Sequence, residues 1–143
     1  MPGKLAVLVD LNVLLDVLQK REPFFEASAQ VLGLIESGKV KGAIASHSIP
    51  TLFYLIRKDK SSADARAIIT SLTQFLEIAT VDQRTIEQAL NLEYPDFEDA
   101  VQMMAALQCK ADYLITRNGK DYTPPLIPVL QPIEFVALVG KSQ

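Results

Sequence analysis

Cysteine and histidine are almost absent. Cys109 is the only cysteine and His47 the only histidine among 143 residues. One cysteine excludes an intrachain disulfide and a cysteine-ligated zinc site. One histidine excludes a zinc hydrolase of the two-histidine HExxH kind. An excess of basic residues is missing too. Lys and Arg number 14 against 17 Asp and Glu, a net charge of −3 with a pI of about 5.1. Bulk charge therefore gives no reason to expect nucleic-acid binding. Long apolar runs are also lacking. The first, residues 5–9, is cut by Asp10, too early for the apolar core of a signal peptide. No stretch nears the roughly 18 uncharged apolar residues of a membrane span. The expected compartment is the cytoplasm, with no membrane association.

The rest of the composition is ordinary for a globular chain, 49% apolar and 22% charged. The length fits a single domain over residues 1–143. A chain of this size buries roughly two-thirds of its unfolded surface and needs no staple.

Periodicity gives an alternating order of strands and helices. Residues 5–9 form a short apolar run bounded by charge, the pattern of a buried parallel strand. Helical spacing follows over 12–20 and again over 24–35, with Gly38 as a stop signal. Residues 42–46 read as a second strand. Ser48 is expected to cap the next helix, with Pro50 in its first turn. Ser61 or Ser62 opens another helix. Residues 77–81 read as a third strand, and Asp82 caps a short helix after it. Pro95 and Asp96 start a helix over 97–109. Cys109 ends it among apolar residues and is expected to be buried. Residues 113–116 and 127–130 are the last strands, and Pro132 opens the final helix. Such alternation implies right-handed βαβ units and a parallel sheet of four to five strands covered on both faces. Ligands in such folds bind beyond the carboxyl ends of the strands.

Polar residues gather at those ends. The first strand delivers Asp10 and Asn12, with Asp16 facing out a turn further on. The second delivers Ser46, His47 and Ser48, followed by Thr51. The fourth delivers Thr116, Arg117, Asn118 and Asp121. The helix before it carries Asp96, Glu98 and Asp99 in its first turn. Crowded carboxylates repel one another, and burying them unpaired is costly. A divalent cation removes the conflict, and oxygen-only ligands select Mg²⁺ or Mn²⁺. Such ions suit attack of water on a phosphodiester.

Three stretches carry a resemblance: Val9-Asp10-Leu-Asn12-Val-Leu-Leu-Asp16, Asp96-Phe-Glu-Asp99-Ala-Val-Gln, and Leu114-Ile-Thr-Arg117-Asn118-Gly-Lys-Asp121-Tyr. In order and spacing they resemble the PIN-domain family, over nearly the whole chain, and the Ser46-His-Ser48 turn fits the same pattern. The resemblance implies a three-layer α/β/α sandwich. It implies a Mg²⁺- or Mn²⁺-dependent endoribonuclease acting on single-stranded RNA, and the toxin of a VapBC-type toxin–antitoxin pair. An antitoxin protein and a homodimer are the implied partners. The family's first aspartate falls on Asp10 and its helix-start aspartate on Asp99. Asp96 belongs to a subgroup pattern, and Asp121 lies near the last acidic position. These four are the implied metal ligands, with Asp10, Asp99 and Asp96 catalytic. Asn12, Ser46, Thr51, Thr116 and Asn118 are expected to line the site, and Arg117 to contact a phosphate.

Two departures weaken the pattern. Thr51 stands where many members carry a glutamate, and Asn118 stands where they carry an aspartate. One metal is then favoured over two. A PIN-like domain that binds RNA or a partner without cleaving is the alternative. Plainer readings stay open for each residue. Asp10 and Asp96 can serve as helix caps, Asp99 can answer the helix dipole, and Asn118 before Gly119 can be a turn. Asp16 can touch the metal, orient Asn12 or pair with a base. His47 is read as a bystander. A haloacid-dehalogenase start is similar to Asp10-Leu-Asn12, but Asn12 cannot supply the acid/base that chemistry requires.

Overall fold

The computed structural model describes residues 3–141. In chain order these form β1 (Ala6–Val9), α1 (Leu11–Leu18), α2 (Phe25–Glu36), β2 (Lys41–Ala45), α3 (Ser48–Asp59) and α4 (Ser62–Leu72). Then come β3 (Leu76–Ala79), α5 (Gln83–Leu90), α6 (Phe97–Gln108) and β4 (Tyr113–Ile115). A 3₁₀ turn (Gly119–Asp121), β5 (Val129–Leu130) and α7 (Pro132–Lys141) complete the order. The strands form one parallel sheet in the order β3-β2-β1-β4-β5. The expected parallel α/β fold is the fold observed, with five strands.

β1 is the centre of the sheet, and its sequence shows why. Val7, Leu8 and Val9 are all buried, because helices cover both faces. Side chains alternate across a strand, so Val7 and Val9 enter one core and Leu8 the other. The first core is filled from α1 (Val13, Leu14, Leu15), α2 (Val31, Ile35), α3 (Leu52, Ile56) and α7 (Phe135). The second is closed mainly by α6, through Ala100, Val101, Met103, Ala105 and Ala106. Alanines on α6 meet Ala43 and Ala45 of β2, so this helix can lie close to the sheet. Each large apolar side chain buried here contributes about 1.5–3 kcal/mol.

One glycine sets the distance on the opposite side. A Cβ on Gly42 would lie 2.5 Å from Ile35 Cδ1, so α2 packs where only a hydrogen fits. Gly38 follows α2 with φ +83 and turns the chain into β2, as its stop signal predicted.

Several expectations need correction. Ser48 is the first residue of α3, not its cap; His47 holds the cap position and makes no capping bond. β3 ends at Ala79 rather than residue 81, because the Val81 N–H turns back to Ser46 Oγ at 3.2 Å. Cys109 is exposed. It lies beyond the last turn of α6, where the chain swings through Lys110 (φ 61) so that Ala111, not Cys109, is buried. No helix among the described residues is long and apolar enough to cross a membrane.

Candidate functional site

The chain runs from β1 outward to β2 and β3, then crosses to β4 on the other side of β1. The connections diverge between β1 and β4, and their carboxyl ends frame the crevice where this kind of sheet takes ligands. Asp10 leaves β1 there, and its N–H donates to the Ile115 carbonyl of β4 at 3.0 Å. Its Oδ1 caps α1 through the Asn12 N–H at 3.4 Å. Its Oδ2 accepts from Thr116 Oγ1 at 2.9 Å. Asp10 is thus cap and site residue together. Thr116 is fully buried, and its Oγ1 also accepts the Asn118 N–H at 3.2 Å.

Asp99 is the third residue of α6. Its Oδ1 accepts from the Tyr122 hydroxyl at 3.2 Å, and that hydroxyl accepts from Gln102 Nε2 at 2.7 Å. Tyr122 is only 2% exposed and Gln102 is buried. Burial first, then the charges of Asp96, Asp121 and Asp10, raise the Asp99 carboxyl to about 6 against the opposing Tyr122 bond. Burial, Asp10 and Asp99 push the Tyr122 hydroxyl well above its ordinary range. Asp10, Asp96, Asp99 and Asp121 therefore act on one locality. Among the described residues, none of these four acids has an ion-pair partner.

The other expected residues are placed unevenly. Asp96 is exposed and caps α6, with Oδ1 accepting the Glu98 N–H at 2.8 Å. Asp121 is exposed at the end of the 3₁₀ turn, and Asn118 is exposed before it. Thr51 is exposed on the first turn of α3. Ser46 Oγ is taken by Val81, so its oxygen holds the β2–β3 edge together. His47 has a buried Nδ1 with no hydrogen-bond partner. Burial lowers its pKa, with Glu98 opposing.

Asp16 does not face out. It is fully buried, and Arg117 Nε lies 3.0 Å from its Oδ2. Ser28 Oγ donates to the same oxygen at 3.1 Å, and Arg21 Nη1 lies 3.9 Å from Oδ1. The Arg117 guanidinium also stands 4.0 Å from the centre of the Phe24 ring. The expectation that Asp16 pairs with a base holds. Its burial was missed because α2 and the loop before it close over α1, which periodicity within α1 cannot reveal. Tyr122, Gln102 and Ser28 were missed altogether. A buried hydroxyl or amide leaves no local signal in sequence.

The donor set fits a hard cation. Asp10, Asp96, Asp99 and Asp121 offer only oxygen donors, and none of them has an ion-pair partner among the described residues. No three Asp, Glu, His or Cys side chains among the described residues are grouped tightly enough to hold an ion alone.

A family model described as PIN domain matches residues 6–120. The chain is 31% identical over 137 residues to Ribonuclease VapC1 of Aquifex aeolicus (strain VF5), covering 90% of this chain and 92% of that one. Among solved structures, a toxin–antitoxin complex from Klebsiella pneumoniae is similar with a TM-score of 0.69 and 25% identity, covering 88% of this chain and 97% of that one. VapBC2 from Rickettsia felis, bound to a DNA fragment from their promoter, has a TM-score of 0.69 at 17% identity, covering 89% and 98%. The family match begins at the first residue of β1 and runs into the 3₁₀ turn, so it contains Asp10, Thr116 and Asp99, and the chain belongs to the PIN domain family.

Proposed function

We propose that this protein is a Mg²⁺- or Mn²⁺-dependent endoribonuclease, acting as one domain on single-stranded RNA. The observation that carries the reading is the pair Asp10 and Asp99, set where the sheet connections diverge and without a basic partner among the described residues. Similarity to a ribonuclease over nine-tenths of the chain supports it. Likeness to a toxin–antitoxin complex supports a role as the toxin of a type II pair, with an antitoxin as protein partner. A homodimer and a cytoplasmic setting belong to the same proposal.

Asp10 and Asp99 would hold the ion, with Asp96 and Asp121 adding their negative field. When bound, the ion would supply an activated water and offset charge on the phosphodiester. Thr116 and Tyr122 orient the two carboxylates by donating to one oxygen of each. Asn12, Asn118 and Thr51 line the approach. The products are a 5′-phosphate and a 3′-hydroxyl. A second reading, a PIN domain that binds RNA or a partner without cleaving, draws on Thr51 and Asn118 at family acidic positions.

The test pairs Mn²⁺ calorimetry with RNA cleavage for wild type, Asp10→Asn and Asp99→Asn. We expect binding and metal-dependent cleavage in wild type, both lost in each variant. Equal cleavage by all three would identify a contaminant and sink the proposal. Metal binding without cleavage would favour the second reading.

A further inference from the structure

The segment over residues 116–122 carries both hydroxyls that hold the two acids. Thr116 donates to Asp10 and Tyr122 to Asp99. Between them lies Arg117, whose side chain turns the other way, under α1 and the loop before α2. Its side chain is 22% exposed, with Nε against the buried Asp16 carboxylate and its guanidinium against Phe24. Asp16 is in turn held by Ser28 on α2. Arg21, the second cation near Asp16, also donates to Asn12 Oδ1 at 3.3 Å. The Arg117 Nε is buried against the Asp16 carboxylate, which turns it away from solvent and from a phosphate.

We infer that Arg117, fixed by Asp16, is a positioning residue that anchors the 116–122 segment so that Thr116 and Tyr122 reach the carboxylates of Asp10 and Asp99. The inference rests on the reading of those two acids as the metal-holding pair. Groups that bond directly to metal-holding carboxylates, as Thr116 and Tyr122 do here, typically change metal affinity 10–100-fold, and Arg117 acts through these two. The ion pair itself is partly buried, so removing one partner leaves the other uncompensated. The double variant Arg117→Met with Asp16→Asn removes both charges and avoids that problem.

Three measurements separate the roles. They are Mn²⁺ affinity by calorimetry, amide hydrogen exchange over 116–122 without metal, and kcat and KM on RNA. We expect Arg117→Met and the double variant to weaken Mn²⁺ about tenfold and to speed exchange in that segment. We expect kcat to fall while KM stays put. Conservative Arg117→Lys should recover part of the loss. A raised KM and a shallower salt dependence with wild-type Mn²⁺ affinity would make Arg117 a phosphate ligand and overturn the inference. A folded double variant with wild-type Mn²⁺ affinity would overturn it as well. Wild type that binds no Mn²⁺ would instead bring down the metal-pair reading beneath it.

Discussion

Asp96 and Asp99 lie three positions apart, yet they meet different surroundings. Asp96 is exposed and holds the start of a helix, whereas Asp99 is half-buried and faces three other acids. The Asp99 carboxyl rises from the usual 3.8 to about 6. Its proton is therefore held more tightly in the folded chain than in the unfolded one. The stability tied to that proton is fully present below pH 3.8 and is lost as pH rises through about 6. Melting of the metal-free protein should show it: between pH 4 and 7 wild type should lose stability relative to Asp99→Asn. Metal binding has the opposite sign, because a proton and a cation compete for the carboxylate. Mn²⁺ affinity should fall as pH drops through about 6, as calorimetry at several pH values would measure. At this scale sequence reveals the acids better than their company. Asp10 and Asp99 stand at a strand end and a helix start, which are visible locally. The partner hydroxyl of Asp10 is 106 residues away and that of Asp99 is 23 residues away, and no spacing rule links them.

The helices and strands were legible wherever a local signal set their ends. Ser61, one of the two serines expected to open α4, caps it by accepting the Asp64 N–H, and Asp82 caps α5 as expected, through a capping box with Thr85. Ser48 failed as a cap because the chain is already helical at His47, whose φ −67 and ψ −15 leave no extended cap residue. β5 shrank to two residues because only Val129 and Leu130 align with β4. Two substitutions test this level. Asp96→Ala should cost about 1 kcal/mol by loss of the α6 cap, while Asp96→Ser should keep most of it. Urea unfolding would read both, and their shared effect on Mn²⁺ binding would isolate the charge of Asp96. Gly42→Ala should cost more, about 1–3 kcal/mol, since its methyl would meet three side-chain atoms of Ile35 within 2.8 Å. A midpoint unchanged in urea would show that α2 can shift away freely.

Across the whole molecule, the net charge of −3 first argued against a nucleic-acid partner. The acids at the site account for part of that balance, and a bound divalent ion would reverse the local sign. Arg117 is drawn into its pair with Asp16, which takes one cation away from phosphates near the acids. RNA binding without metal should then be weak, with a shallow dependence on salt. Titrations over a range of KCl would measure the slope, and a steep one in metal-free buffer would contradict this account. The crossover that puts β4 beside β1 has a further consequence in time. The neighbour of Asp10, Thr116, is made 106 residues after it. At about 5–20 residues per second, the two are separated by roughly 5–20 seconds of synthesis. On the nuclease reading, the site is completed only after β4 and Thr116 have been made and have joined β1.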